Sequence, residues 1–265
     1  MSTPVIPGAE SVSIAEGTQG GVVLLHGYMG TVQTVRDWAL AFARAGFAVE
    51  APLLPGHGTS VEEQLKTQWS DYANCADEAY KKLAARHQHV FVGGICTGGM
   101  LAAWLGLRYP ETAGLLFVNG FMRPPKHWNF GFMDELLATN RRYFGWFRGK
   151  AVEDPDAPAI IGYEHAAIEP IMSMKPPQRE MWPRLNELSC PILIFSGKLD
   201  KVVPLEDTRN WSDRVAGPVE HVMLERSNHV ATMDYDKNII EERSVEFALS
   251  IVKGEYKPAV ETAAR

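Results

Sequence analysis

The stretch Val90-Phe91-Val92-Gly93-Gly94-Ile95-Cys96-Thr97-Gly98-Gly99 constrains the fold of this chain more than any other. An apolar, β-forming run ends in Gly94-Ile95-Cys96-Thr97-Gly98, and a helical pattern, Met100-Leu101-Ala102-Ala103-Trp104-Leu105, follows at once. A strand that becomes a helix in so few residues needs a tight turn. Gly94 and Gly98 leave room there for neighbouring backbone that a side chain would block. Strand-to-helix units of this kind build parallel α/β sheets. The turn also pushes the Cys96 sulfur into the open at a helix N-terminus, whose dipole favours thiolate.

The same alternation runs through most of the chain. Further β-rich runs are Gly21 to Leu25, Phe47 to Leu54, Leu115 to Val118, Ile192 to Phe195 and His221 to Leu224. Most lack polar alternation, as expected of strands buried on both faces of a parallel sheet. Helical patterns lie between them: about Val35 to Ala45, stopped by Gly46; about Ser70 to Arg86, with Ser70 as expected cap; one after Cys96; and about Asn238 to Val252. On the second of these, Tyr72, Cys75, Ala79 and Leu83 fall near one face. The expected fold is α/β, a mostly parallel sheet flanked by helices.

Between about Phe121 and Leu188 the alternation breaks. This stretch holds prolines 124, 125, 155, 158, 170, 176, 177 and 183, together with Trp128, Trp146 and Trp182. It reads as short helices and loops inserted between two strands, either a second packed lobe or a lid over an apolar pocket. The domain division is therefore a core of 1–120 and 189–265 with a cap insertion at 121–188.

Two more loops follow strands, at the edge where open α/β sheets place their ligands. The run ending at Phe195 leads into Ser196-Gly197-Lys198-Leu199-Asp200, and the run ending at Leu224 leads into Arg226-Ser227-Asn228-His229. Upstream, the first run ends in His26-Gly27-Tyr28-Met29-Gly30. That loop can aim the backbone N–H of Tyr28 at a developing oxyanion, with the N–H of Thr97 as second donor. Nucleophile, acid and base then come in the order 96, 200, 229, the order associated with one triad fold.

These pieces, with Leu54-Pro55-Gly56-His57-Gly58 and Val203-Pro204, resemble the α/β-hydrolase superfamily, especially small bacterial carboxylesterases and monoacylglycerol lipases. The resemblance spans nearly the whole chain. It implies Cys96 as nucleophile, His229 as base, Asp200 orienting His229, an oxyanion hole from Tyr28 and Thr97, a cap at Phe121–Leu188 and a structural His57. The departure is cysteine where most such esterases carry serine. It fits a native thiol enzyme, a serine enzyme carrying a Ser→Cys replacement, or a fold kept for binding alone. A thiolate, of parent pKa ~8.5, leaves a tetrahedral intermediate more readily than an alkoxide. Two activities remain open: hydrolysis of carboxylic esters of an apolar acyl group, and thioester cleavage or acyl transfer through acyl-Cys96.

Composition narrows the partners. Lys plus Arg is 26 and Asp plus Glu 32, a net charge of −6 without a basic cluster. That disfavours nucleic acid and anionic membranes. No apolar run has the ~20 residues of a membrane span, and the N-terminus has no basic start followed by an apolar stretch. The expectations are a cytoplasmic protein with a small-molecule acyl substrate, including a carrier-bound thioester. Cys75, Cys96 and Cys190 are too few and scattered for a disulfide framework or zinc site, so neither metal nor organic cofactor is expected.

Overall fold

The computed structural model describes residues 3–122, 138, 139, 141–145 and 150–258. Trp128, Trp146, Pro124 and Pro125, read above as part of the insertion, lie outside them. A seven-stranded sheet has the order β1-β3-β2-β4-β5-β8-β9. Its strands are β1 (Val12–Ile14), β2 (Gly21–Leu25), β3 (Ala48–Ala51), β4 (Val90–Ile95), β5 (Gly114–Val118), β8 (Ile192–Gly197) and β9 (Val219–Leu224). Every neighbouring pair is parallel except β1 with β3.

Every residue of β2, β4, β5 and β8 is buried, which explains their unbroken apolar runs. Alternate side chains feed two separate cores. Val23, Leu25 and Val92 point to one, with Tyr80 of α3 (Trp69–Ala84), Leu101 of α4 (Thr97–Arg108) and Trp211 of α7 (Leu205–Ser212). Val22, Leu24 and Phe91 point to the other, with Trp38 of α1 (Gln33–Arg44) and Phe247 of α8 (Lys237–Val252).

At the margins the structure departs from the sequence reading. β9 is an edge strand, and only Leu224 in it is fully buried. The run Phe47 to Leu54 contributes just four strand residues, Ala48–Ala51. β1 was not anticipated, because three residues with Ser13 at their centre carry no periodic signal. Ser70 does not cap α3. The cap is Gln68, whose N–H donates to Asp71 Oδ2 at 2.8 Å, so Ser70 lies inside the first turn.

The strand order reverses once. From β2 the chain moves outward through α1 to β3, then crosses back through α2 (Val61–Gln64) and α3 to β4 on the other side of β2. The loops leaving β2 and β4 therefore diverge above the sheet, at the switch point where such folds form their crevice. Gly27 and Cys96 sit on those two loops.

Between β5 and β8 the described residues form a two-stranded antiparallel ribbon, β6 (Tyr143–Gly145) with β7 (His165–Ala167). Then come α5 (Ile168–Met172), α6 (Lys175–Met181) and a 3₁₀ turn over Trp182–Glu187. The ribbon is an element the sequence reading lacked. Bonds between side chains and backbone dock this region onto the core. Tyr28 Oη donates to Ala167 O at 2.7 Å, Ile161 N to Gln33 Oε1 at 2.7 Å, and Tyr163 Oη to Gly56 O at 2.8 Å. Among the described residues no helix is long and apolar enough to cross a membrane.

Two buried histidines brace the loops beneath the site. His26 Nε2 accepts from Leu54 N at 3.0 Å, so its Nδ1 carries the proton and donates to Gly27 O at 2.9 Å. His57 Nδ1 donates to Pro55 O at 3.0 Å, leaving Nε2 to accept from Gln64 Nε2 at 3.2 Å. Burial holds His26 down to about 3 and His57 to about 4, so both are neutral.

Once the chain unfolds, both rings recover an ordinary value near 6.5 and bind protons that the native state refuses. Their contribution to stability is present above about pH 6.5 and is lost as pH falls toward 4. At full effect each adds a slope of about 1.4 kcal/mol per pH unit. Denaturant titrations between pH 7 and 5 should show stability falling with pH, and His57→Gln should lower proton uptake on unfolding by about one. An unchanged slope in that variant would mean His57 is charged in the native state.

Candidate active site

Cys96 occupies the junction of β4 and α4 with φ 52° and ψ −117°. A non-glycine residue there is strained, and such strain persists only where surrounding contacts over-determine it. Cys96 N donates to Val118 O at 3.1 Å, and Cys96 O accepts from Gly99 N at 3.0 Å. The flanking glycines are obligatory. A Cβ on Gly98 would lie 2.0 Å from Leu25 O, and one on Gly94 would lie 2.2 Å from the Gly98 carbonyl carbon. The sulfur is half-buried, 3.8 Å from Thr97 Oγ1.

The structure brings Cys96, Asp200 and His229 together from three strand ends. His229 Nδ1 lies 2.9 Å from Asp200 Oδ2, with the Asp200 side chain 1% exposed. The other carboxylate oxygen, Oδ1, accepts from Val202 N at 2.7 Å and Val203 N at 3.1 Å. Backbone donors therefore fix the rotamer that meets the imidazole. The Cys96 sulfur is near enough to the His229 ring to act on its charge. Burial, the largest influence on its titration, opposes charge. The sulfur and the Asp200 carboxylate together outweigh burial and push His229 up to about 10. Near neutral pH the imidazole is thus protonated beside the sulfur.

Tyr28 lies on the loop that leaves β2, and Thr97 directly follows Cys96. Thr97 opens α4, so its N–H has no partner within the helix. Among the described residues no backbone bond uses the N–H of Tyr28 or of Thr97. A Cβ on Gly27 would come 3.2 Å from Cys96 Cβ, so the Tyr28 loop runs against the cysteine. The same loop holds Met29 at φ 72°, and Gly162 packs onto it so closely that a Cβ would meet Met29 O at 2.2 Å.

Two positions that the sequence reading left without a role complete the surroundings. Asp234, fully buried, accepts from the N–H groups of Glu153, Asp154, Asn228 and Tyr235 at 2.8–3.0 Å. Asn228 Nδ2 donates to Lys150 O at 2.9 Å, and Val230 N donates to Ala151 O at 2.9 Å. The loop carrying His229 is thereby stitched to residues 150–154. Nothing in the sequence signals this, because an Asp followed by Tyr-Asp reads as an ordinary solvated turn. Among the described residues no group of three or more His, Cys, Asp or Glu could hold a metal ion.

Residues 16–236 match the family described as serine aminopeptidase, S33. The chain is 32% identical over 252 residues to the thermostable monoacylglycerol lipase of Bacillus sp. (strain H-257), covering 92% of this chain and 96% of the lipase. The chain belongs to that α/β-hydrolase family. A solved structure from work on LipS and LipT, two metagenome-derived lipolytic enzymes, superposes with a TM-score of 0.83 at 30% identity, covering 92% of this chain and 99% of that one. The monoacylglycerol lipase of Paleococcus ferrophilus shares the fold, with a TM-score of 0.71 at 18% identity over 95% of this chain and all (100%) of that one. This S33-family protein is an α/β-hydrolase-fold enzyme whose elbow carries cysteine in a family named for serine.

Cys75 and Cys190 are half-buried, and burial pushes both thiols up to about 11. At pH 7 roughly one in ten thousand of either is thiolate. Limiting iodoacetamide at pH 7 should therefore label Cys96 first, with activity falling in step, as read by peptide mapping. His229→Ala should slow that labelling and lower turnover by at least ~10²-fold. First reaction at Cys75 or Cys190, or full turnover after complete labelling of Cys96, would remove Cys96 from the chemistry.

Proposed function

We propose that this enzyme hydrolyses carboxylic esters of an apolar acyl group through a covalent acyl-Cys96 intermediate. The observation that carries the reading is the 2.9 Å bond of His229 Nδ1 to Asp200 Oδ2, with the Cys96 sulfur near enough to the same ring to act on its charge. In this reading the Cys96 thiolate attacks the ester carbonyl. The oxyanion is received by the N–H groups of Tyr28 and Thr97. The His229 imidazolium, steadied by Asp200, passes its proton to the departing alkoxide. Neutral His229 then takes a proton from water as it attacks the thioester, and collapse releases the acid and restores Cys96.

The charge state of His229 bears on the leaving-group difficulty of a thiol nucleophile. Sulfur is expelled more readily than a bare alkoxide, so forward collapse requires the alkoxide to leave protonated. An imidazolium held up to about 10 by the adjacent sulfur and Asp200 supplies that proton at neutral pH. The ester assignment is also supported by the lipase and lipolytic enzymes that resemble this chain across almost all of its length.

A second reading is favoured by Cys96 itself. Acyl-Cys96 is a thioester, open to amines and alcohols as well as water, and a thioester substrate avoids the leaving-group penalty altogether. Thioester hydrolysis or acyl transfer, including from a carrier-bound acyl group, uses the same residues in the same roles. In both readings the 121–188 insertion is a cap over the acyl site. Its departure between β5 and β8 supports this, as do the bonds from Ala167 to Tyr28 and from Ala151 to Val230.

Incubation with matched oxyesters and thioesters of one acyl group, followed by intact mass, should reveal an acyl adduct on Cys96. Adduct from oxyesters with release of free acid supports hydrolysis; adduct from thioesters alone selects the second reading; no adduct from either removes both. Cys96→Ser should raise the ratio of oxyester to thioester turnover by about tenfold or more, because the intermediate no longer favours reversal. An unmoved ratio would show that leaving-group chemistry does not govern this site.

A further inference from the structure

Asn119 follows β5 directly and is 2% exposed, with φ 48°. Its backbone N–H donates to Phe195 O at 2.9 Å, which ties it to β8. Its side chain reaches two loops at once. Oδ1 accepts from Gly197 N at 2.8 Å, where β8 ends and the turn to Asp200 begins. Nδ2 donates to His229 O at 2.8 Å and to Asn228 O at 3.2 Å. Asp200 N in turn donates back to Gly197 O at 3.1 Å, so the bonded glycine is the hinge of the Asp200 turn.

The chemistry of this position is narrow. It needs one acceptor and two donors on a short side chain, at a backbone angle few residues tolerate. Asparagine supplies all of these, whereas aspartate lacks the donors and glycine lacks the side chain. The two loops are also in direct contact, since a Cβ on Gly197 would meet Ser227 O at 2.8 Å and Asn228 O at 2.9 Å. Leu199 N donates to Ser227 O at 3.2 Å, and among the described residues no other side chain bonds the backbone of both loops.

We propose that Asn119 is a positioning residue that sets the separation of the Asp200 and His229 loops, so that one imidazole reaches Asp200 and Cys96 together. The inference rests on the triad reading and adds to it a residue that touches neither substrate nor sulfur. Loop displacement of about 1 Å is enough to lower a rate by about 10²-fold.

Two variants separate the contributions. Asn119→Asp keeps the backbone preference and the acceptor for Gly197 N but loses both donors to the His229 loop. Asn119→Gly keeps the backbone freedom and loses every side-chain bond. Both should fold by circular dichroism, lose about 10- to 100-fold in kcat with little change in KM, and lose the low-field proton resonance of the His229–Asp200 bond. Turnover within about twofold of the parent, or a loss with that resonance intact, overturns the proposal. Failure of both variants to fold overturns it in favour of a purely structural role. His229→Ala, run alongside, separates the two levels: retained turnover there removes the triad reading itself, whatever Asn119 does.

Discussion

The rest of the site depends on one close approach of backbone to backbone. The first turn of α4 lies so near the end of β2 that a single added carbon on Gly98 would stand 2.0 Å from Leu25 O. This contact places the helix N-terminus beneath the cysteine and holds Cys96 at φ 52°. It also brings the Tyr28 loop, leaving β2, against Cys96. Strain at Cys96 is sustained because β2, β4 and β5 are all buried and parallel around it, so relaxing one residue would require moving three strands.

The insertion has a second role beside any covering of substrate. Gly162 and Ala167 press on the Tyr28 loop, while residues 150–154 are bonded to the His229 loop through Asp234, Asn228 and Val230. The fully buried Asp234 faces four backbone N–H groups, which satisfy both of its side-chain oxygens. Two reactive loops are thus braced by chain that is distant in sequence. Preorganisation of this kind lets fixed donors act on a developing charge without reorganising at the moment of reaction.

Cysteine alters the electrostatics more than the geometry. In a serine triad the resting pair is neutral. Here a sulfur and a carboxylate both face one imidazole, and the ring is held protonated despite burial. A sulfur at a helix N-terminus thus has a protonated ring beside it. Meanwhile His26 and His57, both more deeply buried than His229, have no carboxylate partner among the described residues and stay neutral. The same side chain therefore serves opposite ends according to the charge beside it.

Periodicity and glycine placement were enough to reveal the parallel sheet, the elbow and the order of Cys96, Asp200 and His229, because each depends on local backbone demands that only a few residue types meet. The helix bounds came within a few residues for the same reason, and the cap of α3 was misplaced because Gln68 and Asp71 compete with the better-known Ser70. Strand β1, the β6–β7 ribbon and the exposed face of β9 were not legible, since short or edge strands are decided by neighbours rather than by their own pattern. The parts that finish the site were decided only by tertiary structure. Asn119, Asn228 and Asp234 look like ordinary turn residues in the chain, and their side chains acquire meaning from backbone groups brought beside them from 78 to 110 positions away. Burial is what gives those bonds their weight: a polar side chain enclosed with backbone donors and acceptors must satisfy them all, and no sequence pattern records which strand ends will enclose it.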